Sequence, residues 1–375
     1  MKNVIFKVAA CALGFCVNFN SFAQSSIVIG QSLPLTGPQA GAGQDIRAST
    51  EAFIKMVNSE GGVNGKKLVL KVMDDEFKPE KAAANIKALV EADNVIAVTS
   101  LIGGPQILAA KPVAHAMSLP IVGVLNGNQA IVAAENSSIT HVRIPFSKEL
   151  QLIVKQFTIL GLKKFAVFSP DDAPGKAAAK TVKDSLSTSN LTLSAEIGFD
   201  RSAKDFKPYA EQIAKAKPDV LIVFAPTKAA ADLISAVRAL TGGIQVVCVS
   251  VVDERGLFGI LKQQSAGVIF SSVVPNPYSN NLALTRQYQS AMKDNQITNL
   301  SLASYEAFIN VKVLVAGLRR AGTNPTRASL TKALAELPVT DLGDVYFRSV
   351  VDAKNLVGIN VSDIVMLTKD GRFVR

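Results

Sequence analysis

The chain has 375 residues, of which 48% are apolar and 19% charged, with a formal net charge of +10 and no tryptophan. That length suits two domains, the balance excludes a disordered chain, and no uninterrupted apolar run of about 18 residues follows the amino-terminal segment, which argues against a spanning helix. The basic residues are scattered, as at Lys176, Lys180 and Lys183, without the aromatic-interleaved patch that nucleic-acid binding would want.

The first 23 residues read as a secretory signal. Lys2 and Lys7 make a positive start, residues 8–17 an apolar core, and Ser21, Phe22 and Ala23 a cleavage site, so the mature chain begins near Gln24. Lipidation at Cys11 or Cys16 is disfavoured: the apolar run before Cys11 is short, and Phe15 stands where a small residue is wanted. Removal of this segment leaves Cys248 as a single cysteine in the apolar run 245–251, which reads as a buried strand thiol.

Residues 27–33 carry Ile27, Val28, Ile29 and Leu33, as a buried strand should. Thr36 is placed to cap the following helix, and Pro38 suits its first turn. Ile46, Phe53, Ile54 and Val57 recur at helical spacing. Gly61 and Gly62 then supply left-handed backbone, and Asn64-Gly65 turns the chain into the next strand. Strands at 67–74, 95–99, 121–124 and 139–143 alternate with helices opened by Pro79 and Pro105.

The same order restarts after Pro145. Ser147 is read as the cap of a helix ending at Gly161. Strand 164–169 leads to the loop 170–175 and a helix rich in lysine and alanine. Strands at 191–197, 220–224 and 245–250 alternate with helices at 206–216 and 229–240, with loops at 225–228 and 251–255. A strand at 267–273 precedes Pro275-Asn276-Pro277. Helices follow at 282–294 and 302–322, then a third capped by Thr326, then a β-prone tail with a turn at Lys369-Asp370-Gly371. Alternating strand and helix predicts parallel sheets with helices on both faces, and the restart predicts two lobes of similar topology: an α/β chain of two doubly wound parallel-sheet lobes. Open sheets of this kind bind ligands outside the carboxyl ends of their strands.

Several stretches together carry a resemblance. They are Ile29-Gly30, Pro34-Leu35-Thr36-Gly37, Gly43 and the run from Asn58 to Gly65; Leu101-Ile102-Gly103-Gly104-Pro105; Val142-Arg143 with Glu149; Asp172 and Gly175; Pro275-Asn276-Pro277-Tyr278 with Tyr288; and Ser304-Tyr305-Glu306-Ala307. In this order the chain resembles the leucine/isoleucine/valine-binding-protein-like family of ABC-transporter substrate-binding proteins, of the type I periplasmic binding protein fold. The resemblance implies a hinge of three crossing strands near residues 143–145, 274–277 and 347–351. Lobe I would comprise 24–144 plus 276–349, and lobe II 145–275 plus 350–375. It implies a soluble periplasmic receptor that closes on a small solute and presents it to an ABC permease, with no enzymatic activity, cofactor or metal.

The same resemblance supplies candidate ligand-binding residues: Thr36 and Gln39 in the first loop, Ser100, Gly103 and Gly104 after the third strand, Asn126 and Asn128, Asp172 and Pro174, Thr227, and Asp253 and Glu254. In amino-acid-binding members, serines and a threonine hold the ligand carboxylate. Here Gly103 and Gly104 stand at those positions, so the N–H groups opening the Pro105 helix are left to bind an anion. The family's aromatic contribution from the second lobe falls at Ala173 or Pro174, so that stacking partner is lost. Asp253 or Glu254 would pair with a ligand ammonium. An amino acid and another small carboxylate, aromatic or aliphatic, both stay open.

Two other functions are compatible with parts of the sequence. A sensory receptor of the same fold would share these lobes. An enzyme is poorly supported: the glycine run 37–43 is spaced GxxxGxG rather than as a dinucleotide fingerprint, no GxSxG occurs, and His115 and His141 lack a histidine partner at metal spacing.

Overall fold

The computed structural model describes residues 26–132, 138–349, 358–359, 361 and 363–374. Residues 1–23, read above as a signal, and the expected end of the third crossing, Val350 and Val351, lie outside these residues.

The first sheet is parallel throughout. Its strands are β1 (Ile27–Leu33), β2 (Leu68–Asp74), β3 (Ala97–Ile102), β4 (Ile121–Leu125) and β5 (Ile139–Thr140), in the order β2-β1-β3-β4-β5. Helices α1 (Ala40–Ser59), α2 (Pro79–Glu91), α3 (Gly104–Ala116) and the single turn α4 (Gln129–Val132) connect them. The second sheet repeats that order with β6 (Phe165–Pro170), β7 (Leu193–Phe199), β8 (Val220–Val223), β9 (Gln245–Cys248) and β10 (Ile269–Ser272), arranged β7-β6-β8-β9-β10. Its helices are α5 (Phe146–Ile159), α6 (Ala173–Ser187), α7 (Lys207–Ala216), α8 (Thr227–Leu240) and α9 (Glu254–Leu261). Each sheet reverses direction between its first and third strands, the crevice where such sheets bind ligands.

After β10 the chain returns to the first unit. Helix α10 (Ala283–Asp294) packs on α1, as does α11 (Leu302–Arg320), and α12 (Arg327–Ala335) packs on α11. The contacts are aromatic: Phe53 meets Phe308 edge-on at 4.8 Å, and Tyr288 stacks on Tyr305 at 4.4 Å. Burying one such ring contributes about 2 kcal/mol. A two-strand ribbon, β11 (Thr340–Asp341) and β12 (Tyr346–Phe347), precedes the last crossing. The Ile359 N–H donates to the Val142 carbonyl at 2.7 Å, which lays this crossing against the first. Strands β13 (Asp363–Leu367) and β14 (Phe373–Val374) then join the second sheet antiparallel, β13 against β10.

Matching glycines let both lobes start the same way. A Cβ on Gly43 of α1 would lie 2.1 Å from the Pro34 carbonyl oxygen, and one on Gly175 of α6 would lie 1.9 Å from that of Pro170. Each helix therefore crosses the loop after its strand at a distance that only glycine permits.

Local capping differs from the sequence reading in two places. Helix α1 begins at Ala40 with no side-chain cap, and the Thr36 hydroxyl instead donates to Asp74 at 2.6 Å. Helix α5 begins at Phe146 behind Pro145, so Ser147 is already inside it. Thr326 does cap α12, accepting from the Ser329 N–H at 3.1 Å. The stretch read as a loop at 251–255 contains the start of α9.

Candidate functional site

A cleft of about 490 Å³ opens between the carboxyl ends of the two sheets. Its first wall is built by the loops after β3 and β4. Gly103 (φ 93°) turns the end of β3 into α3 in a conformation that favours glycine, and no side chain caps that helix. The next residue able to donate after Gly104 is Gln106, because Pro105 has no N–H. Uncapped N–H groups and the helix dipole together favour an anion here. Asn126 is buried beside this helix start. Its Oδ1 accepts from the Asn128 N–H at 2.9 Å, which orients its amide nitrogen toward Gly104, 3.5 Å from where a Cβ on that glycine would lie. Gln39, Phe77, Ile102, Leu108 and Leu125 complete this wall, which contributes no carboxylate.

The second wall is charged, but its charges are engaged. Asp172 caps α6 by accepting from the Gly175 N–H at 3.0 Å and pairs with Arg201 at 2.6 Å. Asp253 caps α9, accepting from the N–H groups of Arg255 and Gly256, and its own N–H donates to the Thr227 hydroxyl at 3.0 Å. Glu254 accepts from the Leu302 N–H at 2.7 Å. Burial, reinforced by the charge of Asp253, pushes the Glu254 carboxyl up to about 8. Pro174, Phe146 and Phe224 add apolar surface.

The back of the cleft is a buried ionic cluster at the hinge. Arg143 pairs with Glu149 at 2.6 Å and with Glu306 at 3.4 Å, and also donates to the Ser250 hydroxyl. Glu149 accepts in turn from Ser250 at 2.7 Å and Ser271 at 2.6 Å. The guanidinium lies 5.2 Å from the centre of the Phe146 ring. Glu306 lines the cleft, and burial pushes its carboxyl up to about 7 against the opposing pull of Arg143.

Ten of the twelve candidate residues border this cleft: Gln39, Gly103, Gly104, Asn126, Asn128, Asp172, Pro174, Thr227, Asp253 and Glu254. Thr36 and Ser100 do not. Thr36 is exposed and spends its hydroxyl tying the first loop to the end of β2. Ser100 is fully buried within the lobe, its hydroxyl shared between Thr99 and the Asn310 amide at 3.2 and 3.3 Å. Sequence reasoning omitted Arg143 and Glu306 as site residues, although an ionisable residue amid apolar helical positions was a visible signal at Glu306. Position 173–174 carries no aromatic residue, as the sequence shows, and Phe77, Phe146 and Phe224 bring aromatic surface to the cleft from other elements.

Comparison with known proteins agrees with this geometry. The family model described as periplasmic binding protein matches residues 26–374. A Leu/Ile/Val-binding protein homolog 3 from Brucella melitensis is 26% identical over 360 residues, covering 87% of this chain and 88% of that one. The crystal structure of a substrate-binding periplasmic protein from Ralstonia solanacearum superposes with a TM-score of 0.81 at 25% identity, over 93% of this chain and 99% of that one. An ABC-transporter solute-binding protein from R. palustris, solved in complex with benzoate, shares the fold at a TM-score of 0.75 and 18% identity, covering 93% of this chain and 95% of that one.

Proposed function

The chain belongs to the periplasmic binding protein family, in its leucine/isoleucine/valine-binding branch, and from that premise we propose that it is the extracytoplasmic receptor of an ABC importer for a small carboxylate with an apolar body. The observation that carries the choice of solute is the asymmetry of the cleft. A donor-rich corner of the α3 start and Asn126 suits a carboxylate, and Phe77, Phe146 and Phe224 suit a hydrophobic remainder. The ammonium of an α-amino acid sits next to its carboxylate. At this corner it would face a wall without acidic residues; the acids opposite already serve Arg201, two helix starts and the Leu302 N–H, and Glu306, which also lines the cleft, belongs to the hinge cluster at the back rather than to this corner. The benzoate complex of the R. palustris protein supports an aromatic carboxylate as one such solute.

In this reading the solute touches both walls and stabilises the closed arrangement, which the permease recognises. Lobe I (24–144 with 276–349) and lobe II (145–275 with 350–375) move as units about the crossings. Residues 1–23 direct export to the periplasm. Amino-terminal sequencing of the exported protein should begin near Gln24. Among the described residues, no helix is long and apolar enough to cross a membrane.

The test is thermal unfolding with benzoate, phenylacetate, hexanoate and leucine. A solute at a hundred times its Kd stabilises by about 2.7 kcal/mol, an easily measured shift. Stabilisation by the first three and not by leucine is expected. Stabilisation by leucine alone would overturn the choice of solute, and none by any carboxylate would overturn the function.

A further inference from the structure

The buried cluster behind the cleft is not electrically balanced. One guanidinium, Arg143, faces two carboxylates, Glu149 and Glu306. Glu149 is saturated: it accepts from Arg143, from both the N–H and hydroxyl of Ser250, and from Ser271. Glu306 is not. Among the described residues its single ionic contact is the longer one, at 3.4 Å, and its Oε1 has no hydrogen-bond partner, although the residue is 6% exposed and lines the cleft. An acceptor left unpaired in a buried site costs free energy that a donor from outside the protein would recover. The fold places this residue deliberately: α11 brings Glu306 to the cleft, while one turn on, Asn310 faces inward to Ser100.

We propose that Glu306 is a specificity-determining residue that accepts a hydrogen bond from a second polar group of the solute, a hydroxyl or an ammonium carried on the apolar body away from the carboxylate. This rests on the carboxylate reading above and narrows it to carboxylates with a distal donor. Both donor types satisfy Oε1; an ammonium would in addition neutralise the excess negative charge of the cluster.

The experiment measures dissociation constants by calorimetry for matched sets: benzoate with its 3-hydroxy, 4-hydroxy and 4-aminomethyl derivatives, and hexanoate with its 6-hydroxy and 6-amino derivatives. Wild-type protein should bind at least one donor-bearing member about tenfold more tightly than its parent. Glu306→Met should erase that preference, bringing the ratio of derivative to parent affinity to about one, because the acceptor is gone while Arg143 and Glu149 remain a balanced pair. Glu306→Gln distinguishes the donors: it retains a preference for hydroxyl and loses one for ammonium. A merely structural Glu306 would shift parent and derivative alike, and an unchanged ratio in Glu306→Met overturns the inference. Equal wild-type binding of parents and derivatives overturns it while leaving the carboxylate reading intact. If no member binds wild-type protein, both fall.

Discussion

The two walls of the cleft come from sheets of the same strand order, yet they are prepared differently. The first offers donors that no other group among the described residues uses, at the α3 start and at Asn126. The second has more charge but less to offer, because Asp172, Asp253 and Glu254 are committed to Arg201 and to backbone N–H groups. A charged residue at a binding surface is thus no guide to ligand charge until its partners are counted. What recognises a solute is the unsatisfied remainder, and that lies on the neutral wall and at Glu306 behind it.

The largest effect should come from the point where the walls join. Arg143→Met leaves Glu149 and Glu306 buried without a cation and should cost about 3–5 kcal/mol in denaturant unfolding. A loss under about 1 kcal/mol would mean that the cluster is hydrated and that the hinge is not held by it.

Next is the neutral wall. Asn126→Asp replaces a donor with a negative charge beside the helix start and should weaken carboxylate binding tens of fold, read by calorimetry, with little change in stability. The equivalent alteration opposite, Asp172→Asn, should change affinity less than about threefold, since its partner Arg201 is half-exposed. If the two variants behaved alike, the contrast between the walls would be wrong.

Buried groups of the two units, one at the second wall and one away from the cleft, should also respond to pH with opposite signs. Glu254 titrates near 8 in the folded protein against 4.5 when exposed, so its contribution to stability is fully present below 4.5 and lost as pH rises through 8. Glu254→Gln should raise the melting temperature by several degrees at pH 8 and leave it unchanged near pH 4.5. His141, beyond β5 of the first sheet, is held neutral by burial first and by Lys111 second, with its pKa lowered from 6.5 to about 4. Its contribution is present above 6.5 and lost as pH falls through 4, so His141→Leu should flatten the acid limb of the stability profile. Melting curves across pH 4–9 would check both signs.

The smallest effect concerns an ion pair between the two units outside the cleft lining. Asp45 on α1 pairs with Arg255 on α9, joining the two cores by a partly exposed contact. Asp45→Asn should alter stability by less than about 1 kcal/mol, and by less again at high salt. Small-angle scattering of the solute-free variant should show a modestly larger radius if this pair favours closure.

Much of the architecture was legible because its causes are local. Strand and helix periodicity, Gly61 and Gly62 at a helix end, and the Thr326 cap each depend on neighbours a few residues away. The restart after Pro145 became a second sheet with the strand order of the first. Reading failed locally where two caps were available: Thr36 was drawn to Asp74, a residue from another strand, and Pro145 outcompeted Ser147 as the boundary of α5.

The candidate site was legible as loops but not as chemistry. Ser100 and Gly103 lie three residues apart at the end of one strand, and only the sheet register sends the hydroxyl inward to Asn310 and leaves the glycine on the cleft. Arg143 and Glu306 meet although 163 residues separate them. The sequence by itself determined the alternation of elements, the repeated unit and the family likeness, since these follow from backbone preferences and apolar spacing. The tertiary structure alone decided which polar groups were consumed and which remained, because hydrogen-bond satisfaction is settled between elements distant in the chain once packing has brought them together.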